Sequence, residues 1–532
     1  MFTRNLPPLV IALTFVAWPC LGKDRVVNVS DFDAKPDGTT LSTRAIQRAI
    51  DACAAGGGGT VGFPPGKWLS GRIFLKNNVT LLIEEDATLL GSPNLDDYLE
   101  SAAPKAAMTA KSKHGDLALI VGDKLQHVAI RGRGTIDGNG AYFRDKAKAR
   151  PKVLKFTGCH DVRIEGVRLQ GAGSWMQHFR DCQQLVVHGI TVFNHVSFNN
   201  DGLDVDSCQD VEISDCTIDS DDDALCLKSL SDRPCRNVTV SNCTLSSHCN
   251  AIKMGTESGG GFQDITVRDC RVFSPRHSKV TYGKQRGLAG IALEIVDGGR
   301  LDNVNVSNIQ IDGVTSPIFI RLGNRGRPYE NRKVKPGIGT LRNVTLTNIT
   351  ATRASSTGCS ITGLPGHPVE SISLKDIRLS FDGGEPRERA SAQVPERPES
   401  YHECKMFGVL PAYGLYCRHV KGLTLSDVQL HTDRPDLRHA LACDDAEDVR
   451  IDGLDAQFSA GAAPMIRLID AKQLRLTHCK PVAARGTFVR IEGAASRGIE
   501  LVGNDFSRVG KGVERADKVA ADAVRCQPRP TP

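Results

Sequence analysis

The chain repeats one short phrase: two polar residues, an aliphatic, any residue, a second aliphatic, any residue, then in most copies Asn, Asp or Gly. Copies begin at His160, Gln183, Gln209, Arg236, Gln263, Asp302, Arg342 and Glu370, and resume at Lys421, Glu447, Lys472 and Arg497. Successive starts lie 23, 26, 27, 27, 39, 40, 28, 51, 26, 25 and 25 residues apart. Apolar and polar positions alternate with period two, as in strands, and sustained helical periodicity is nearly absent. Self-similarity at a period in the twenties marks a solenoid. A leucine-rich-repeat solenoid has a comparable period, but its leucine-dense consensus is missing. The pattern therefore predicts an all-β fold, a single-stranded right-handed parallel β-helix. One coil of about two dozen residues would rise by ~4.8 Å, so residues one period apart become neighbours. The gaps of 39, 40 and 51 then read as loop insertions.

Composition agrees with this picture. There are 52 glycines for turns, 5% aromatic residues, and 40% hydrophobic residues, enough for a long core. At 532 residues the length suggests several domains, yet the repeats run nearly end to end, which predicts one elongated domain over 23–515 with a tail at 516–532. Residues 1–22 differ: Arg4 precedes the apolar run Leu9 to Trp18, then Pro19-Cys20-Leu21-Gly22. This fits a secretory signal peptide and is too short for a membrane span, so a secreted or periplasmic monomer is expected. A net charge of +6 on a chain this long is mild, and no basic run carries interleaved aromatics, which argues against a nucleic-acid partner.

Seventeen cysteines in an exported protein ordinarily suggest disulfides. Cys216, Cys243 and Cys270, however, recur 27 residues apart at one repeat position, which predicts an internal stack of buried thiols rather than a metal site. Cys404, Cys417 and Cys443 are the better disulfide candidates.

The chemistry concentrates in Asn199-Asn200-Asp201-Gly202 and Asp221-Asp222-Asp223. Asp201 and Asp222 are 21 residues apart, about one coil, so the fold would stack them. Three carboxylates in one small volume mean chemistry or a cation, and crowding raises the pKa of one of them. Solvated turn acids or a calcium site are the alternative readings.

Two segments carry a family resemblance. Val27 to Gly71 looks like the N-terminal module of pectate-lyase-superfamily β-helices, whose short helix, Ser42 to Ala54 here, caps the solenoid. The phrase Ile130 to Gly138 and the two acidic motifs resemble glycoside hydrolase family 28, the polygalacturonase and rhamnogalacturonan hydrolase family. The resemblance implies an inverting aspartate triad, with Asp222 as general acid, Asp201 and Asp223 holding the water, Asn199 contacting substrate, and no cofactor or metal. Two motifs depart from the family: its Gly-His-Gly histidine falls on Asn250, with His248 a substitute candidate two residues away, and its Arg-Ile-Lys cations fall on Ala292 and Glu294.

Alternation, with Leu203, Val205, Leu225, Leu227, Ile252, Met254, Leu293, Ile295, Ile320 and Leu322 inward, predicts an outward row Asp206, Lys228, Lys253, Glu294 and Arg321. That row reads as a sugar-binding floor or a ladder of surface salt bridges. The insertion 383–412 and its flank gather three of seven tyrosines, Tyr401, Tyr413 and Tyr416, into a candidate sugar-binding wall that would favour exo action. The sum is a secreted hydrolase of a pectin-type poly- or oligosaccharide. A calcium-dependent polysaccharide lyase and a non-catalytic carbohydrate-binding β-helix are the alternatives.

Overall fold

The computed structural model describes residues 26–99, 117–145, 149–275, 286–329, 333–482 and 486–527; the signal-peptide segment lies outside them. Its strands range from 2 to 23 residues, and every ladder between them is parallel. In the middle of the chain each strand pairs with the strand three places further on, so three strands make one coil. One sheet runs through Gln177–Arg180, Leu203–Asp206, Leu225–Ser229, Asn250–Ser258, Ala289–Ile295, Ser316–Leu322 and Cys359–Thr362. This is the right-handed parallel β-helix. The last strand, Val524–Gln527, pairs with Arg497–Val502, so the stack continues into the segment read as a tail.

The repeated phrase works through its corners. In every copy the second residue has positive φ, from Asp161 and Gln184 through Asn237 and Asn343 to Gly498, and so does the seventh, from Gly166 through Asn242 and Asn308 to Gly503. Left-handed backbone is cheap for Gly and tolerable for Asn and Asp, which explains the residue choice at the seventh position. Between these corners the two aliphatics face the core. Stacked corners also bond to one another: Asn237, Asn303 and Asn343 each donate at 2.7 Å to an aspartate one coil back.

The inward rows are continuous. Val205, Leu227, Met254, Leu293, Ile320 and Ile361 share one register position, and all are buried. Cys216, Cys243 and Cys270 are buried in the predicted stack, and Cys159, Cys182, Cys208 and Cys235 form a second one at the preceding corner. Cys404, Cys417 and Cys443 are free thiols, contrary to the disulfide reading. Cys417 and Cys443 are register partners inside the core, occupying the same kind of apolar position as the other stacks. Helix Thr43–Ala55 caps the first coils, burying Ala45, Ile46, Ala49, Ile50 and Cys53 on one face. Among the described residues no helix is long and apolar enough to cross a membrane.

Candidate active site

The site lies where the turns of three consecutive coils enter the sheet carrying Leu203–Asp206, Leu225–Ser229 and Asn250–Ser258. The first turn is held by its backbone: Met176 N and Asn194 Nδ2 donate to Asp201 O at 2.8 and 3.2 Å, and Gly202 N donates to Asp223 O at 2.8 Å. Gly202 is required there, since a Cβ would sit 2.3 Å from Ile218 Cγ2 and 2.7 Å from Ala224 O. That close approach brings Asp201 against the Asp222-Asp223 turn. The second turn is tied by Ser220 Oγ and Ser247 Oγ, which donate to Asp222 O at 2.8 and 2.6 Å.

The acids are buried rather than solvated. Asp222 is the most accessible of the three at 9%, against 3% for Asp201 and 2% for Asp223. Two ammonium groups divide them unequally. Lys253 Nζ lies 2.9 Å from Asp223 Oδ2, and Asn250 Nδ2 donates to Asp223 Oδ1 at 2.7 Å. Lys228 Nζ lies 3.4 Å from Asp201 Oδ2, 3.3 Å from Asp204 Oδ1 and 3.6 Å from Glu257 Oε2. Among the described residues Asp222 has no ammonium of its own. Burial, then the charges of Asp201 and Asp223, push its carboxyl well above the usual range. Burial would raise Asp223 as well, but Lys253, Lys228 and the hydrogen bonds from Lys253 and Asn250 outweigh it and hold that group below the range. Burial also raises Asp201, partly offset by Lys228. One protonated and one ionised carboxyl in adjacent positions is the division that acid–base cleavage requires.

A calcium ion fits poorly here. Calcium takes six to eight oxygen ligands, whereas the carboxylates of Asp222 and Asp223 cluster with the thiol of Cys249, and Asp223 is already faced by Lys253.

Several sequence expectations change. Lys253 does not share a row with Lys228, because Leu225 and Leu227 pair in regular register with Ile252 and Met254, which sets Lys253 opposite Cys226 and Ala292. Gly255 lies against Glu294 instead, with room for no Cβ, so Glu294 and Arg321 pair in the next positions of the Lys228 row. Nor is the row an exposed ladder: Asp206, Lys228, Lys253, Glu294 and Arg321 are all buried. Arg321 is no substrate ligand, since its guanidinium donates to Thr362 Oγ1, Gly363 O and Glu396 O at 3.2, 2.9 and 2.7 Å. Tyr413 and Tyr416 are not sugar contacts either. Tyr413 sits in the solenoid core, its hydroxyl 2.7 Å from Gln457 O, and Tyr416 packs under the insertion with Leu410, Ala412 and Ala442. His248 is fully buried and bonds Asp221 Oδ1 through Nδ1 at 2.6 Å, so its ring does not serve the triad. Asn199 remains on the exposed rim, where Arg150 Nη2 donates to its Oδ1 at 2.8 Å.

The insertion between Gly383 and Ala412 folds down over the sheet beyond the triad. His402 lies where a Cβ on Gly323 would be, 2.2 Å from its Nε2. Cys404 and Met406 pack on Ala292 and Phe319, and Phe407 lies 5.4 Å from the Arg321 guanidinium. The position of the missing family arginine is thus filled with apolar side chains. Tyr401, 58% exposed, stands 6.0 Å from Lys253 Nζ and 5.9 Å from Arg325. On the opposite side half-buried Trp175 stacks near Lys228 and Lys152, at 4.7 and 5.0 Å.

Asp204, Glu257, Arg325 and Trp175 were missed from sequence. Asp204 was recoverable, because it alternates with the inward Leu203 and Val205. Glu257 lies near the end of strand Asn250–Ser258, beyond a register shift, while Trp175 and Arg325 arrive from loops, and no local pattern announces them.

Clustered carboxylates in unequal environments fit the acid–base cleavage of a glycosidic bond. Residues 83–400 match the profile of Glycosyl hydrolases family 28, and the chain belongs to that family. A probable polygalacturonase of Vitis vinifera is 32% identical over 231 residues, 41% of this chain and 47% of that protein. An exo-poly-alpha-D-galacturonosidase of Dickeya chrysanthemi is 38% identical over 125 residues, 22% of this chain and 20% of that protein. The chain therefore spans about half or less of these curated relatives. A solved exopolygalacturonase from Thermotoga maritima superposes with a TM-score of 0.56 at 22% identity, over 68% of this chain and 88% of that one, a likeness of fold.

Proposed function

We propose that the chain is an exported hydrolase that cleaves a pectin-type polysaccharide with inversion and acts from chain ends. Asp222 protonates the leaving glycosidic oxygen, while Asp201 and Asp223 hold and deprotonate the attacking water. The observation that carries this reading is the unequal environment of the carboxyls, with Asp223 clamped by Lys253 and Asn250 and Asp222 buried without a paired cation among the described residues. Asn250 supplies to Asp223 a hydrogen bond at the position of the family histidine, so the departure from Gly-His-Gly leaves the site provided for.

End-directed action follows from the insertion, which occupies the sheet directly beyond Lys253 and would stop a polymer from threading through. Tyr401 and Trp175 would stack on sugar rings at the two margins of the pocket. The substrate argument changes with burial. Burial, despite nearby Lys253, pushes Glu294 up to about 8, so it withholds a cation rather than presenting an anion at acid pH. With Ala292 covered and Glu294 uncharged, smooth polygalacturonan should be a poor substrate beside one offering a neutral sugar, such as rhamnogalacturonan. Installing Arg at Ala292 would break packing instead of restoring binding.

Product analysis over pectic polymers tests the reading. Mono- or disaccharide should dominate from the first minutes, with new reducing ends of inverted anomeric configuration. Unsaturated uronate formed only with added calcium would instead identify a lyase.

A further inference from the structure

Behind the triad, on the other side of the same three turns, lies a second polar cluster to which the hydrolytic reading assigns no role. His195 follows Thr191–Asn194, Asp221 follows Thr217–Ser220 and His248 follows Thr244–Ser247, so each comes from one of three consecutive coils. One nitrogen or oxygen of each lies within 4.8 Å of the others. His248 Nδ1 meets Asp221 Oδ1 at 2.6 Å, and His195 Nε2 meets Asp219 Oδ1 at 3.0 Å, where Ser246 Oγ also donates at 2.8 Å. The His195 and His248 rings are edge to face, with centroids 5.8 Å apart.

We propose that His195, His248 and Asp221 bind a divalent transition-metal cation of the zinc class. Two imidazoles and one carboxylate are a donor set such ions favour, with bonds of about 2.0–2.2 Å. Donor atoms around such an ion stand about 3.4 Å apart, so closure from 4.8 Å needs movements of about 1 Å, within reach of side-chain rotation. The short contact between His248 Nδ1 and Asp221 Oδ1 marks where the ion would enter, displacing the proton between them. Imidazoles oriented by carboxylates are also the usual outer arrangement of metal-bound histidine, and Asp219 orients His195 in this way.

The consequence is mechanical. The cation would fasten together the coils that carry Asp201, Asp222-Asp223 and Asn250, fixing the turns from behind without touching substrate.

The test uses the full chain stripped of metal by a chelator and then dialysed against zinc chloride. Inductively coupled plasma mass spectrometry should find about one zinc per chain, and zinc should raise Tm. His195→Gln, at the accessible edge, should weaken zinc binding at least tenfold and abolish the Tm response, with His248→Gln doing the same if it folds. Fewer than about 0.1 zinc per chain at micromolar metal, or retention unchanged in His195→Gln, overturns the assignment.

Discussion

The same sheet presents two sets of outward charges that behave differently. Late in the solenoid, Arg467, Arg490, Glu492 and Glu514 pair nearly one to one at 2.6 to 3.2 Å, with side chains 16 to 39% exposed. Around Asp201 to Asp223, four aspartates share Lys228 and Lys253, while neighbouring Glu257 is also paired with Arg325 and Arg327, and all of those aspartate and lysine side chains are buried. Matched, wet pairs neutralise one another and contribute little. Unmatched, dry ones cannot all ionise, and the proton they retain is available for chemistry.

The largest test of that contrast is Asp222→Asn against Arg490→Ala. The first should lower kcat by about 10²–10⁴ with the fold intact, the range of general acid catalysis. The second should leave kcat within about twofold and cost at most ~1 kcal/mol in a denaturant melt. Comparable losses from both would erase the distinction between the regions.

Lys253→Met removes the cation that keeps Asp223 ionised. We expect kcat to fall by about 10². Because Lys253 holds the Asp223 pKa down, its loss should move the acid limb of the kcat profile to higher pH. An unmoved limb would assign the ionised partner elsewhere.

A stability measurement sharpens the comparison. Glu294 is raised in the folded state to about 8 and returns to ~4.3 on unfolding. The folded chain therefore holds a proton the unfolded chain has released, and this contribution is present below pH ~4.3 and lost as pH rises toward 8. Glu294→Gln should flatten the decline, with its Tm relative to the parent rising by about 2 °C or more between pH 5 and 8. Parallel Tm curves would mean that Glu294 is ionised throughout.

The smallest effect concerns the insertion. Tyr401→Ala should raise KM about fivefold, equivalent to ~1 kcal/mol of ring contact, with kcat nearly unchanged. Tyr413→Phe, its core counterpart, should leave KM unchanged.

The repeat itself determined much of this protein. Period-two alternation and the Asn, Asp or Gly at each corner dictate coils of one size, because left-handed corners and inward aliphatics are local requirements that each copy meets by itself. Stacking follows from the period, so Asp201, Asp222, Asp223, Asn250 and the Cys216, Cys243, Cys270 stack could be aligned from numbers alone. Tertiary structure decided the rest. One register shift after Leu227 set Ser229 opposite Ser258, with Glu257 3.6 Å from Lys228. Chain direction at Ala412 sent Tyr413 into the core while Tyr401 reached the cleft. Burial turned an apparent surface ladder into enclosed charge, because desolvation depends on what the rest of the chain lays over a residue, which no local pattern encodes.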